Sequence, residues 1–347
     1  VFAPIVILVL GIFAWMNLPI DAFPDVTNVQ VMILTEAEGL APTEVERLVT
    51  NPIEIQMNGL PRIQLIRSLS KAGLSQVVVI FEDDVDIYFA RQLVFERLAL
   101  ARQNLPEGCE PEMGPISTGL GEIYQYTLEA DPAVADLTQL RTLQDWVIKP
   151  QLSTIQGVTE INSFGGFVKQ YQVIVEPDKL LKYKVSLNEM VEAVANNNST
   201  APANFIVKGR EQIIARSIGF IKSVEDIENI VVSVSENVPV HLKDIASVQI
   251  GHHIRQGAVT RDGKGEAVCG MVIMLKDSNS KTVVEKVKER IAQIQKRLPT
   301  GVRINTFYDR TELIQACIRT VSDALWQGGL LIIFVLFLFL GSMRLSA

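Results

Sequence analysis

The side chains in this sequence whose types could do chemistry are an adjacent pair of imidazoles and a scatter of carboxylates, with no nucleophile spaced beside a base. His252 and His253 stand together in GHHIRQG, and Glu122 opens the run EIYQYTLE. Imidazole and carboxylate suit borderline dications such as zinc, cobalt and nickel, whereas thioethers and thiolates suit soft ions. Adjacent residues on a strand point to opposite faces, so one ion does not readily take both histidines. For the pair, the alternative is a surface position with no metal role. For Glu122 it is an ordinary solvated carboxylate at a strand end. An acidic cluster, Glu82, Asp83, Asp84 and Asp86, falls between a strand pattern and a helix start. Carboxylates there complement the helix dipole and shape a turn.

Sulfur is sparse and scattered. Cys109, Cys269 and Cys317 lack the paired spacing of a zinc site or a disulfide framework. Cys269 lies in an apolar strand run and reads as core. Met271 and Met274, three apart in the same run, fall on opposite faces and read as packing, as does Met113. The sequence holds no nucleophile–base constellation, phosphate-cradling glycine loop or dense His/Cys cluster, so an enzyme is poorly supported. A net charge of −7 without a basic stripe gives nucleic-acid binding little support.

The elements that must position these residues follow from hydrophobic period. Val29–Ala37 alternates as a strand, and Pro42 opens a helical stretch that Gly59-Leu60-Pro61 closes. Two strand runs, Ile63–Leu69 and Ser75–Glu82, meet in a hairpin at Lys71-Ala72-Gly73. A helix from Asp86 to Gln103 and an extended segment after Pro111 complete β-α-β-β-α-β, the ferredoxin-like order. The order recurs, interrupted. Glu122–Glu129 reads as strand, Asp136–Ile155 as helix and Gly157–Phe164 as strand; much later come strand Glu266–Leu275, helix Lys281–Leu298 and strand Val302–Tyr308. LPEGCEP and LPTGVRI punctuate matching points of the two copies. The stretch from about Val168 to Gly251 is then an inserted module, with a polar, turn-rich segment at Asn196–Arg210 that is either a loose loop or a protruding arm.

Two segments are built for lipid. Val1–Trp15 carries no charge, nor does Leu325–Met343, which Arg344 follows. A helix needs roughly 20 apolar residues to cross a bilayer core. The first segment lacks the basic start and cleavage site of a signal peptide and reads as a membrane helix missing its front. Two crossings place both ends on one side, and Arg344 favours a cytoplasmic C-terminus.

LPIDAFPDVTNVQV (18–31), GLAPTEVERLVTNPIE (39–54), RSLSKAGLSQVVVIFEDDVDIYFARQLVFERL (67–98), MGPISTGLGEIYQYTLE (113–129), LQDWVIKPQL (143–152), GGFVKQYQV (165–173) and YDRTELI (308–314) run in register through the chain. Together they resemble the heavy-metal branch of the resistance-nodulation-division transporters. The resemblance implies an α+β membrane protein with two ferredoxin-like βαββαβ porter subdomains, the second split by an α+β docking module, bracketed by two transmembrane helices. It places the first membrane helix at 1–16 and the first porter subdomain at 17–117. The second porter subdomain falls at 118–166 and 252–308, the docking module at 167–251 with its trimer arm near 196–210, and the linker with the second membrane helix at 309–347. It implies a homotrimer in the bacterial inner membrane, its bulk in the periplasm, working with a periplasmic adaptor and an outer-membrane channel. Such a pump would export metal cations on the proton gradient without a cofactor. Copper and silver exporters of the branch carry a Met where this chain has Ile254, so the chain leans to zinc, cobalt, nickel or cadmium, with Glu122, His252 and His253 as candidate ligands. Neither apolar segment holds an ionisable residue, so proton coupling would belong elsewhere. A multidrug pump and a two-helix receptor with a periplasmic sensor domain are the alternatives, the first disfavoured by 7% aromatic residues.

Overall fold

The structure, a computed structural model, describes residues 6, 11, 27–199, 205–209, 211–214, 219–235, 238–255 and 257–340. Apart from Val6 and Gly11, the expected first membrane helix lies outside the described residues.

The first β-α-β-β-α-β copy consists of β1 (Gln30–Glu36), α1 (42–57), β2 (Ile63–Lys71), β3 (Leu74–Phe81), α2 (Ile87–Arg102) and β4 (Pro111–Met113). Pro42 starts α1, where a missing N–H costs nothing, and the Glu44 carboxylate reaches back to the Ala41 N–H at 3.0 Å. Gly73, at φ +74°, supplies the left-handed residue of the β2–β3 turn. Asp86 caps α2 by accepting from the Tyr88 and Phe89 N–H groups at 3.0 and 2.9 Å. The sheet is antiparallel in the order β2-β3-β1-β4. Its core joins Val31, Ile33, Val77, Val79 and Phe81 to Val45, Val49, Ile53 and Met57 of α1 and Ala90, Val94 and Leu98 of α2. Each fully buried aliphatic side chain contributes about 1.5–3 kcal/mol.

The second copy begins with β5 (Glu122–Glu129), α3 (137–153) and β6 (Val158–Phe164). The insertion then supplies β7 (Lys169–Val175), α4 (Pro177–Tyr183), α5 (Leu187–Asn197), β8 (Phe205–Lys208) and β9 (Glu211–Ile214). It continues with α6 (Val224–Glu228), β10 (Val231–Ser235), β11 (Val238–His241), α7 (Leu242–Ile245), β12 (Ala246–His252) and β13 (Val259–Thr260). β14 (Glu266–Met274), α8 (Ser280–Gln295) and β15 (Arg303–Asp309) resume the copy. β14 pairs with β6 on one side and β5 on the other, and β5 with β15, giving β6-β14-β5-β15. Counted within each copy, both sheets run second, third, first, fourth strand.

The copies share a further device that hydrophobic period does not reveal. α1 and α3 each contain one wide π turn, Glu46–Thr50 and Gln144–Ile148, and each turn is followed two residues later by a proline, Pro52 or Pro150. Proline lacks the donor for the carbonyl four residues back and presses its ring against it. A wide turn, in which the Asn51 N–H reaches the Glu46 carbonyl, absorbs that defect. Each turn also carries a buried polar residue. Thr50 bonds the Ser70 and Ser75 hydroxyls at 2.8 and 2.7 Å. Gln144 accepts from the Tyr126 hydroxyl at 3.0 Å and donates to Ser163 at 3.3 Å.

Compactness divides the chain into two units: Val1–Asp131 with Gln144–Phe164 and Val268–Ala347, and Pro132–Leu143 with Gly165–Ala267. In the second unit, β7 and β12 form an antiparallel ribbon, and β8–β9 and β10–β11 form hairpins. Val185, Met190, Ile227, Ile230, Val240, Leu242 and Ile245 make its core. Ser186 and Glu189 cap α5 reciprocally, and the Ser186 backbone N–H and hydroxyl hold the Glu189 carboxyl below its usual range. Of the expected arm, residues 200–204 and 210 lie outside the described residues.

β15 runs directly into α9 (Arg310–Leu340). Over Arg310–Phe339 this helix is long and apolar enough to cross a membrane, with mean hydropathy 1.9. Its start is anchored by charge. Asp309, 8% exposed, pairs with Lys288 of α8 and accepts from the Thr311 N–H at 2.9 Å and hydroxyl at 2.6 Å. Burial pushes the Asp309 carboxyl up, but the bonds from Lys288 and Thr311 outweigh it and hold the group below the usual carboxylate range.

Gly270 of β14 faces Tyr126, and a Cβ there would fall 2.3 Å from the Tyr126 Cζ. Gly270→Ala is therefore expected to cost about 1–3 kcal/mol by overpacking, read as a lower denaturant midpoint. Because the folded Asp309 carboxyl is lowered, its contribution is complete above the unfolded value of about 3.9 and disappears as pH falls through the folded one. Asp309→Asn is expected to lower stability at pH 7, and the gap from the parent to close below about pH 4, in denaturation series at stepped pH.

Candidate functional site

The helix-free face of the second sheet gathers most of the polar and sulfur-bearing side chains that its strands carry. Pairing fixes which ones. The position of a Gly270 Cβ, against the Tyr126 ring, marks the helix side of β14. Its neighbours Cys269 and Met271 therefore project to the other side. Across the ladder, Met271 pairs with Gln125 of β5 and Asn162 of β6, and Cys269 with Thr127 and Phe164. Cys269 is 5% exposed and Met271 half-buried, while Met274 packs into the interior. Burial pushes the Cys269 thiol up, so it stands as the neutral S–H, directed at the Gly270 carbonyl at 3.8 Å.

Glu122 enters this face from its end. Its exposed carboxylate accepts from the Gln125 side-chain amide at 3.1 Å. A register shift between Val272 and Ile273 lies where β14 meets the start of β5, opposing Ile273 to Glu122. The row from carboxylate to amide to thioether thus runs Glu122, Gln125, Met271.

The histidines are differently employed, and they belong to the other compact unit. His252 is the last residue of β12, and its ring packs against that of Phe167 at 4.6 Å between centroids, the planes tilted by 38°. The Arg255 guanidinium lies 4.7 Å from the centre of the same ring and makes a two-bond pair with Glu266. That pair raises the Arg255 pKa and lowers that of Glu266. His253 follows the strand end; its N–H donates to Val168 at 2.9 Å and its Nδ1 lies 2.7 Å from the Ile254 carbonyl. Ile254 is 85% exposed. Among the described residues no group of three or more His, Cys, Asp or Glu is placed to hold a metal ion.

The acidic group before α2 is built as a turn. Asp86 caps the helix, while Glu82 and Asp84 both pair with Arg62, whose bond pulls the Asp84 carboxyl down. Asp83 and Asp86, with Lys276 and Asp277, line a cavity of about 530 Å³. Lys276 donates across to the Thr27 carbonyl at 3.3 Å. The sequence reading missed the shared face of Cys269 and Met271. The i, i+2 spacing was visible in EAVCGMVIML, but an uninterrupted apolar run carries no mark of which face is open.

Comparison with known proteins places these features in a family. The AcrB/AcrD/AcrF family model matches residues 1–347. Protein HelA of Legionella pneumophila is 48% identical over 98% of this chain and 33% of its own length. The cobalt-zinc-cadmium resistance protein CzcA of Cupriavidus metallidurans is 48% identical over 96% of this chain and 32% of its own. The crystal structure of a heavy metal efflux pump superposes with TM-score 0.89 at 33% identity, covering 97% of this chain and 34% of that one. The chain spans about a third of the length of the curated relatives it matches. From the first described strand to the apolar helix, then, this chain belongs to the AcrB/AcrD/AcrF family, on its heavy-metal efflux branch.

Proposed function

We propose that this chain is the N-terminal third of an inner-membrane pump that exports heavy-metal cations at the expense of the proton gradient. The family match over residues 1–347 carries the reading. It is supported by relatives named for cobalt, zinc, cadmium and nickel resistance at 40–48% identity. On this reading the first sheet and its helices (17–117) are one porter subdomain. The second sheet (118–166 and 252–308) is the other, and 167–251 is the module that meets the outer-membrane channel. α9 is the second membrane helix, the bulk of the chain lies in the periplasm, and three copies assemble with a periplasmic adaptor. The work is transport rather than catalysis.

The second sheet's open face is the part of this chain that a cation would meet. Glu122 supplies an exposed carboxylate held in place by Gln125. A borderline dication suits such a group, and weak, exchangeable binding is what export requires. His252 and His253 remain candidate ligands of the same kind, His252 with its ring packed against Phe167. Zinc, cobalt, nickel and cadmium are the favoured cargo over copper and silver, because Ile254 stands where a soft thioether would.

The test is metal tolerance of an exporter-deficient bacterium given the full-length gene and its adaptor. Protection against the divalent metals is expected, reduced by Glu122→Ala, since even a lost outer-shell partner costs a metal site roughly tenfold or more in affinity or activity. Protection against copper and silver alone overturns the selectivity; protection against organic toxicants and no metal overturns the function.

A further inference from the structure

The strand that carries Glu122 does not by itself fix where the carboxylate stands. Glu122 opens β5 opposite Ile273, at the point where the register between β14 and β5 shifts. A shift of that kind disrupts the ladder locally, so contacts just upstream carry more of the placement. Those contacts are specific. The Gly121 carbonyl accepts from the Met274 N–H at 2.7 Å, and the Gly121 N–H donates to the Thr118 carbonyl at 2.8 Å. A Cβ at Gly121 would lie 3.0 Å from the Thr118 oxygen, 3.1 Å from the Met274 oxygen and 3.2 Å from the Ile273 Cγ2. One residue earlier, the Leu120 carbonyl accepts from the Arg310 Nη1. Arg310 is the first residue of α9 and is 5% exposed, between Asp309, which pairs with Lys288, and the buried Thr311. A guanidinium taken out of water needs fixed acceptors for its donors.

We propose that Arg310 is a positioning residue for the cation ligand. From the base of α9 it holds the Leu120 carbonyl, and through Leu120 and Gly121 it sets where the Glu122 carboxylate stands. The inference rests on the efflux function and on Glu122 as a ligand, both proposed above. Arg310 does not touch the cation, which its own charge repels. It acts as an outer partner, the kind whose loss costs a metal site roughly ten- to a hundredfold. The first turn of α9 and the carboxylate are two ends of one short chain of bonds, so a shift of the helix base changes how well the site holds its ion.

The experiment measures zinc and cobalt tolerance with the full-length gene and its adaptor, pump amounts in the membrane being matched by immunoblot. Arg310→Met keeps the length of the side chain and removes its donors. Tolerance is expected to fall roughly tenfold or more, toward the level of Glu122→Ala. Arg310→Lys keeps a charged donor and is expected to recover most of the loss. The deciding strain carries Arg310→Met together with Glu122→Ala, and it is expected to be no more sensitive than Glu122→Ala alone. A residue that acts through Glu122 has nothing left to position there, whereas one that merely supports the fold adds its own loss. Multiplied sensitivity in the double variant overturns the proposal, as does parental tolerance in Arg310→Met. Gly121→Ala crowds the same segment from its other side and is read in the same cycle, so the test stands even where Arg310→Met fails to reach the membrane. Parental tolerance in Glu122→Ala overturns this inference and leaves the efflux function standing; a parent pump that protects against no metal removes the efflux function itself.

Discussion

Gly270 has no side chain because Tyr126 occupies the space one would need. A Cβ would meet the Tyr126 ring and hydroxyl at 2.3–2.7 Å. The phenol is in turn held by Gln144, Gln144 by Ser163, and Ser163 is the ladder partner of Gly270. These four residues close a ring of contacts through β5, α3, β6 and β14. A one-residue slip of β14 would put a side chain against the phenol and turn Cys269 and Met271 toward the helices. The chemistry of the open face thus depends on a packing constraint on the opposite one. Burial raises the Tyr126 phenol far above its usual range, with Gln144 pulling the other way, so the hydroxyl stays a donor throughout ordinary conditions.

Much of the scaffold was legible in the sequence because its signals are local. The alternation of QVMILTE, the Ala72-Gly73 turn, the Ser186 cap and the acidic start of α2 all specify structure within a few residues. Cys269 was placed in the core by its apolar run, and it is buried. What the sequence hides is non-local or exceptional. The hydrogen bond from the Gln125 side-chain amide to the Glu122 carboxylate sits beside a register shift that alternation does not foresee. The π turns before Pro52 and Pro150 interrupt helices that otherwise show an ordinary 3.6-residue period. His252 looked like half of a histidine pair, yet its principal neighbour is Phe167, 85 positions earlier by their numbers. Such a contact exists once the chain has folded and has no sequence signature.

The junction at Asp309-Arg310 gives the apolar helix a stiff base. β15 passes into α9 without a loop, Asp309 is clamped to α8 through Lys288, and Arg310 donates to the Leu120 carbonyl just before β5. Both terminal strands of the second copy's chain path are thereby tied to the helix start. A displacement of the first turn of α9 is transmitted to the sheet through hydrogen bonds and ion pairs rather than through a flexible tether.

The insertion between β6 and β14 has a consequence for how the molecule is made. Those strands are antiparallel neighbours in the sheet, the arrangement of a hairpin, yet roughly a hundred residues separate them. Closing so long a loop adds only a few kcal/mol of entropy over a short turn, which is why the position accepts an insertion. Time is a larger matter. A ribosome adding about 5–20 residues per second leaves β5, α3 and β6 without their central strand for about 5–20 s. The first copy has no such interval, since its strands arrive in close succession. The nascent second sheet is thus an open half-core waiting for its middle, and it is there that chaperone capture or mispairing competes with native assembly.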